Sequence, residues 1–487
     1  MSSATANITS ALGSFELIDE HASQGRTPSA YDWKPEHWVK YPVPETYNIQ
    51  SPPWIRPEQV PMSFVGVNIV DVENSLILKS MTVKIKSGKI ESISKSLKEH
   101  MQEDGWESIN AEGLYLSPGL IDVHTHITAI PGQPLGTLSP ASETLTALGT
   151  QYVLKGMLWR GFTTIRDVGG ANRHYKNATE QWLIPGPRVF QGGPLISQTG
   201  GHGDDGTNAD KPITACCAGP QGSGADATSC IADGVDECTR AARRIMMAGA
   251  DHIKICSSGG VASPTDKLDS EQFTVAEIKA ICDVVRMMKG TLVTAHCFTS
   301  AAARNAIEGG IGGIEHGHLL DDDTLKLMAK KGVHLTPTLI VQELLDKPPY
   351  QAMIPPVSRD KLKIVIDGGY RVMKRAHELG VNIAYGTDCF GPMQPNQLAE
   401  FELRKKVLSS KDIIKHATIN AAKVLNMQGK IGIIGEGAFA DLLLLSANPL
   451  EDVGIFNEPH KYVKGIIKDG RVVRSELKSL RVEVSLM

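Results

Sequence analysis

The sequence predicts an α/β fold: a (β/α)8 TIM-like barrel carrying a small β-sandwich domain built from both ends of the chain. Three observations carry that expectation. Between about 118 and 426, eight short apolar runs alternate with stretches of helical period. On either side, over 62–117 and 427–487, apolar and polar residues alternate one by one, the period of half-buried strands. The length, 487 residues, suits a barrel with an attached second domain rather than one small domain.

Residues 1–61 are rich in Pro, Trp and Ser and have little periodicity, so they are expected to form an extension that packs onto the rest or onto a neighbouring subunit. Its tryptophans Trp33, Trp38 and Trp54 call for burial, because exposing them together would leave a costly apolar patch. The first β-sandwich part follows in VGVNIVD, MTVKIKSG and KIESISKS. The barrel runs are PGLIDVHTH, GFTTIRD, RVFQGGPLIS, ADHIKICSSGG, LVTAHCF, GGIEHGH, GVHLTPTL and VNIAYGTD. Between them, VDECTRAARRIMMAGA and TVAEIKAICDVVRMMKG have helical period. The stretch 203–232 is Gly- and Ala-rich without a period, and it follows a strand end, so it reads as a long loop at the catalytic face. The second β-sandwich part returns in ADLLLLSANP, VKGIIKDG and RVVRSE.

Composition narrows the function. Hydrophobic residues at 41% and charged residues at 21% are those of an ordinary globular protein. A formal net charge of −4, with no dense Lys/Arg run, argues against nucleic acid or an anionic membrane as partner. The N-terminus lacks the basic start and apolar core of a secretory signal, and no stretch approaches the ~20 apolar residues of a membrane span. The eight cysteines are scattered without a CxxC pair, and Cys256 and Cys297 fall inside buried runs, as in reduced, cytoplasmic proteins. Cys216, Cys217, Cys230 and Cys238 cluster locally, but zinc-site spacing is absent and they read as loop or buried thiols.

The chemistry lies at the strand ends. His124 and His126, two apart on a strand, face the same space. Such a pair is weak alone: 15 histidines in 487 residues give roughly 0.4 by chance, and His316 and His318 form a second one. The weight comes from position. His296 ends the fifth run, His316 the sixth and Asp388 the eighth, while Lys254 lies within the fourth, where an unpaired cation facing the interior would be expensive. Catalytic groups of these barrels gather at the C-terminal ends of strands. His202, in GGHGD, is a candidate for substrate contact or for satisfying loop backbone; His318 reads as a neighbour of His316. Asp122 and Asp167 read as groups that orient neighbours. Gly259 and Gly260 read as close backbone approach, since the Gly-Lys-Ser/Thr of a phosphate loop is missing.

PGLIDVHTH, IKICSSGGV, TAHCF, IEHGH and YGTD, with ATINAAKVLN and GEGAFADLLLL, resemble the amidohydrolase superfamily from about residue 62 to the end. ISQTGGHGD, GFTTIRDVGG and IADGVDECTRAARR are similar to its ochratoxinase and prolidase-like (Xaa-Pro dipeptidase) branch. The resemblance implies two divalent metal ions, zinc by ligand type, with Lys254 N6-carboxylated and shared between them. His124, His126 and Asp388 would hold one, His296 and His316 the other. It further implies hydrolysis of an amide or peptide-like bond of a small molecule by a metal-bridging hydroxide, with Asp388 as general base, in a homo-oligomer.

Two positions depart from that pattern. Where relatives carry a Tyr or His donor after the fifth-strand histidine, this chain has Phe298; where carboxypeptidase-like relatives carry an arginine, it has Leu339. The alternatives are a mononuclear deaminase or cyclic-amide hydrolase, a decarboxylase or dehydratase on the same fold, and an inactive scaffold, against which stand the six intact ligand positions.

Overall fold

The computed structural model describes residues 58–95, 105–131, 143–204, 228–263 and 266–484, with positions 54, 56 and 486. Trp33, Trp38, Cys216, Cys217 and most of the 203–232 loop lie outside the described residues. Cys230 and Cys238 are free thiols.

The first strands are β1 (Met62–Asp71), β2 (Leu76–Lys86), β3 (Lys89–Lys95), β4 (Glu107–Asn110) and β5 (Tyr115–Pro118). Alternation dictates their faces, with one informative exception. Phe64 and Val67 are three apart, yet both enter the same core cluster. The register slips between them, at Gly66 with φ +79°, a bulge conformation that a side chain would strain.

Nine parallel strands follow: β6 (Leu120–Thr125), β7 (Phe162–Asp167), β8 (Arg188–Gln191), β9 (Leu195–Ser197), β10 (Ser229–Ile231), β11 (Ile253–Cys256), β12 (Val293–Thr299), β13 (Gly313–Leu319) and β14 (His334–Thr336). They alternate with helices, among them Glu143–Trp159, Arg173–Glu180, Gly234–Met247, Val275–Met287, Ser300–Gly309, Asp322–Lys331 and Ser358–Glu378. Local chemistry sets their ends: Thr274 and Glu277 form a reciprocal capping box at the start of Val275–Met287, and Gly332 closes Asp322–Lys331 in the left-handed region.

The strands form two ladders, β6-β7-β8 and β10-β9-β11-β12-β13-β14. Residues 381–388 make only an isolated bridge at Ile383, yet they hydrogen-bond on both sides. Ala384 N donates to Leu335 O at 2.9 Å, and Val123 N donates to Tyr385 O at 2.9 Å. Ahead of β11, Asp251 N donates to Gln191 O of β8 at 2.8 Å.

The chain then adds β15 (Leu442–Leu445), β16 (Val463–Lys468) and β17 (Arg471–Ser475) to the first sheet. The result is one eight-stranded sheet, ordered β17-β16-β15-β5-β1-β2-β3 with β4 on β1, from opposite ends of the described chain. β15 is four leucines, all fully buried. Leu442 and Leu444 pack within the sheet's own core, while Leu443 and Leu445 join the cluster holding Leu154 and Leu158 of the first long helix. A strand with no polar face thus marks where two layers meet, each leucine contributing about 1.5–3 kcal/mol.

Candidate metal centre

β6 is buried throughout and delivers His124 into the interior; His126, just past it, keeps 17% of its side chain exposed. Asp122 fixes this strand end: its carboxylate accepts from His124 N at 3.0 Å, Thr387 Oγ1 at 2.7 Å and Gln397 Nε2 at 2.8 Å. Asp167 does the same next door, accepting from the backbone N–H groups of Ile127, Gly169 and Ala171. Both are orienting groups, as expected from sequence.

Each imidazole of the group has its Nδ1 engaged. His124 Nδ1 donates to Glu315 Oε2 at 2.7 Å, His126 Nδ1 donates to Gly169 O at 2.9 Å, and His316 Nδ1 lies 2.7 Å from Thr338 Oγ1. That tautomer leaves Nε2 of His124 and His126 bare, and Asp388 Oδ1 sits 3.4 Å and 3.3 Å from them. Ligand atoms of His124, His316 and Asp388 all lie within 4.8 Å of one another. His296 stands beside His316, ring centroids 4.7 Å apart, and turns Nε2 to Gly259 O at 3.3 Å.

The backbone here is strained. His316, Thr338 and Asp388 have φ of 68°, 45° and 53°, a left-handed conformation that side chains avoid. Burial would raise the Asp388 carboxyl, but His124 and His126 hold it well below the usual range. Lys254 is 3% exposed, and burial pushes its ammonium below the ordinary lysine value, with Glu315, Cys256 and Asp388 opposing. Among the described residues no hydrogen bond or ion pair engages its Nζ. Bare Nε2 atoms and a carboxylate form a donor set that fits a divalent metal.

The remaining candidates surround this group. Phe298 is buried and stacks on His316 at 5.0 Å and 11°. His202 stacks on His296 at 4.0 Å and 13°, its Nδ1 3.3 Å from Asp266 Oδ2. Leu339 is 2% exposed and belongs to the main core cluster. His318 is buried and turns its Nε2 onto Pro337 O.

Sequence reasoning passed over Glu315 and Arg166. Both are wholly buried, Arg166 Nη2 donating to Glu315 Oε1 at 2.6 Å and Thr294 Oγ1 donating to the same oxygen. The available signal was two opposite charges inside apolar runs, IEHGH and TTIRD, each needing a partner. Lys361 was also missed; its Nζ donates to the carbonyls of Gly260, Ser263 and Asp266, fastening the loop beneath His202.

The sequence profile of the amidohydrolase family matches residues 115–473. The chain belongs to the amidohydrolase family. As an amidohydrolase it is a hydrolase acting on carbon–nitrogen bonds. It is 32% identical to the ochratoxinase of Aspergillus niger over 378 residues, 74% of this chain and 75% of that protein. Among solved structures it resembles a prolidase complexed with N-methylphosphonate-L-proline, with TM-score 0.79 and 34% identity, covering 85% of this chain and 100% of that one. The crystal structure of A. niger ochratoxinase matches with TM-score 0.76 and 25% identity, covering 88% and 99%. Among the described residues, no helix is long and apolar enough to cross a membrane.

Proposed function

We propose that this amidohydrolase cleaves an amide or peptide-like bond of a small molecule at a binuclear metal site in the mouth of a closed (β/α)8 barrel spanning 118–426. Supporting closure are the backbone bonds that tie residues 381–388 to both β14 and β6, and those that carry β8 across to the start of β11. The observation that carries the functional reading is the convergence of His124, His316 and Asp388, with His126 beside Asp388, and their orienting partners.

In this reading His124, His126 and Asp388 would hold one ion and His296 and His316 the other, with N6-carboxylated Lys254 as a further ligand. A buried lysine whose ammonium is disfavoured by burial supports that modification, which replaces an ammonium by an anionic oxygen donor. When bound, two divalent ions, zinc by donor type, supply Lewis acidity and a water of lowered pKa. Asp388 takes the proton of the attacking water and returns it to the leaving nitrogen. Phe298 offers an apolar wall and no donor, so His202 is assigned to the substrate's polar groups, with Leu339 behind them. The likenesses to ochratoxinase and prolidase make an ochratoxin-like amide and Xaa-Pro dipeptides the first substrates to assay.

Metal content by plasma mass spectrometry, on protein prepared without chelators, tests the reading. About two ions per chain are expected in the parent, with a clear loss in Lys254→Ala. One ion, unaffected by the substitution, would sink it and direct the search to mononuclear deaminase or lyase chemistry.

A further inference from the structure

Residues two apart on a strand share a face. Beneath the candidate centre this pairs Lys254 with His252, His296 with Thr294, Glu315 with Gly313, Arg166 with Thr164, and Thr336 with His334. The lower-numbered members lie one step nearer the N-terminal ends of their strands, His252 just ahead of β11, and form a layer under the site. Such interiors are ordinarily filled by branched aliphatic side chains. Here the layer is made of two histidines, two threonines and a glycine.

Its polar atoms are buried and largely unpaired. Among the described residues, no hydrogen bond reaches either nitrogen of His252, Nε2 of His334, Nη1 of Arg166, or the hydroxyls of Thr164 and Thr336. These groups are close to the centre's own support. A Cβ on Gly313 would fall inside the His334 imidazole and 2.7 Å from Thr294 Oγ1, the hydroxyl that donates to Glu315. Burial pushes His334 down to about 3, so its imidazole is neutral; its donor meets the backbone of Gly312, and Nε2 is left to satisfy. Left unpaired, so many polar atoms would together rival the stability of a folded domain. Buried polar groups without protein partners are where proteins hold internal water.

We infer that the interior beneath the candidate metal centre is a water-binding chamber, whose ordered waters link His252 and His334 to the Arg166–Glu315 pair and so hold Glu315 against His124 Nδ1. His252 and His334 are then positioning residues that act through Glu315. The chamber stands on the unpaired atoms alone; its influence on metal affinity rests on the proposed function.

Crystals of the full-length holoprotein test the chamber. Water peaks are expected within about 3.2 Å of the His252 and His334 nitrogens and of Arg166 Nη1. A dry interior, imidazoles paired directly with each other, or an anomalous peak there after a bromide soak would overturn it. Zinc competition against a chromophoric chelator tests the coupling. His334→Phe, which keeps an aromatic ring and removes hydrogen bonds, should weaken zinc roughly tenfold with an unchanged circular dichroism spectrum, and His334→Gln should restore most of the affinity. Parent-like affinity in the Phe variant would overturn the coupling to Glu315. Should the parent bind no zinc, the metal reading fails while the crystallographic result still decides the chamber.

Discussion

Glu315 is the residue on which the centre leans most, although it faces no substrate. It joins His124, Arg166 and Thr294 while fully buried. Removing one partner of a buried ion pair leaves the other charge uncompensated, a loss of about 3–5 kcal/mol. Glu315→Leu should therefore lower stability by about that amount in urea unfolding, and adding Arg166→Met should recover part of it, because the stranded guanidinium is then gone. At this scale the sequence was legible where chemistry is conspicuous: His124, His126, His316 and Asp388 stood out by residue type at strand ends. Glu315 and Arg166 were not, because a paired charge inside an apolar run becomes visible as a pair only when the strands are set side by side. His202 was an open question that geometry narrows, since its ring lies flat on His296.

Among the elements, the strands were legible by their apolar runs, and seven of the eight runs overlap β6, β7, β8 with β9, β11, β12, β13 and β14. The eighth run, VNIAYGTD, forms a single bridge instead of a named strand, although its backbone bonds reach both neighbours. Loops were harder to read. Gly259 and Gly260 do permit close approach, but one partner, the ring of His202, comes from a distant segment that no local pattern reveals, and the other, Lys267 O, from further along the same loop. Gly260→Ala would place a methyl inside the His202 ring and push it off His296. The expected outcome is a raised KM with metal content unchanged, checked by steady-state kinetics beside metal analysis. Leu443→Ala should cost about 2–5 kcal/mol by opening a cavity between sheet and helix, measured as a shift in the urea midpoint.

Across the whole molecule, buried histidines set the response to acid. Burial, the main cause, lowers His318 to about 4 and His334 to about 3. In the unfolded chain each takes up its proton near 6.5. Between those values the unfolded state binds more protons, so stability is complete above about pH 6.5 and declines as pH falls toward 4. Each such group removes about 1.4 kcal/mol per pH unit over its window. Urea midpoints at about pH 7, 6 and 5 should fall in that order, and His334→Phe should flatten the slope.

The four leucines of β15 have a further consequence, for the order of synthesis. β5 and β1 leave the ribosome more than 300 residues before β15 pairs with β5. Until then β5 presents an open edge above Leu116, and the first long helix lacks the cover of Leu443 and Leu445. The nascent chain therefore carries adhesive surface through most of its translation, and the sheet closes only as the last strands emerge.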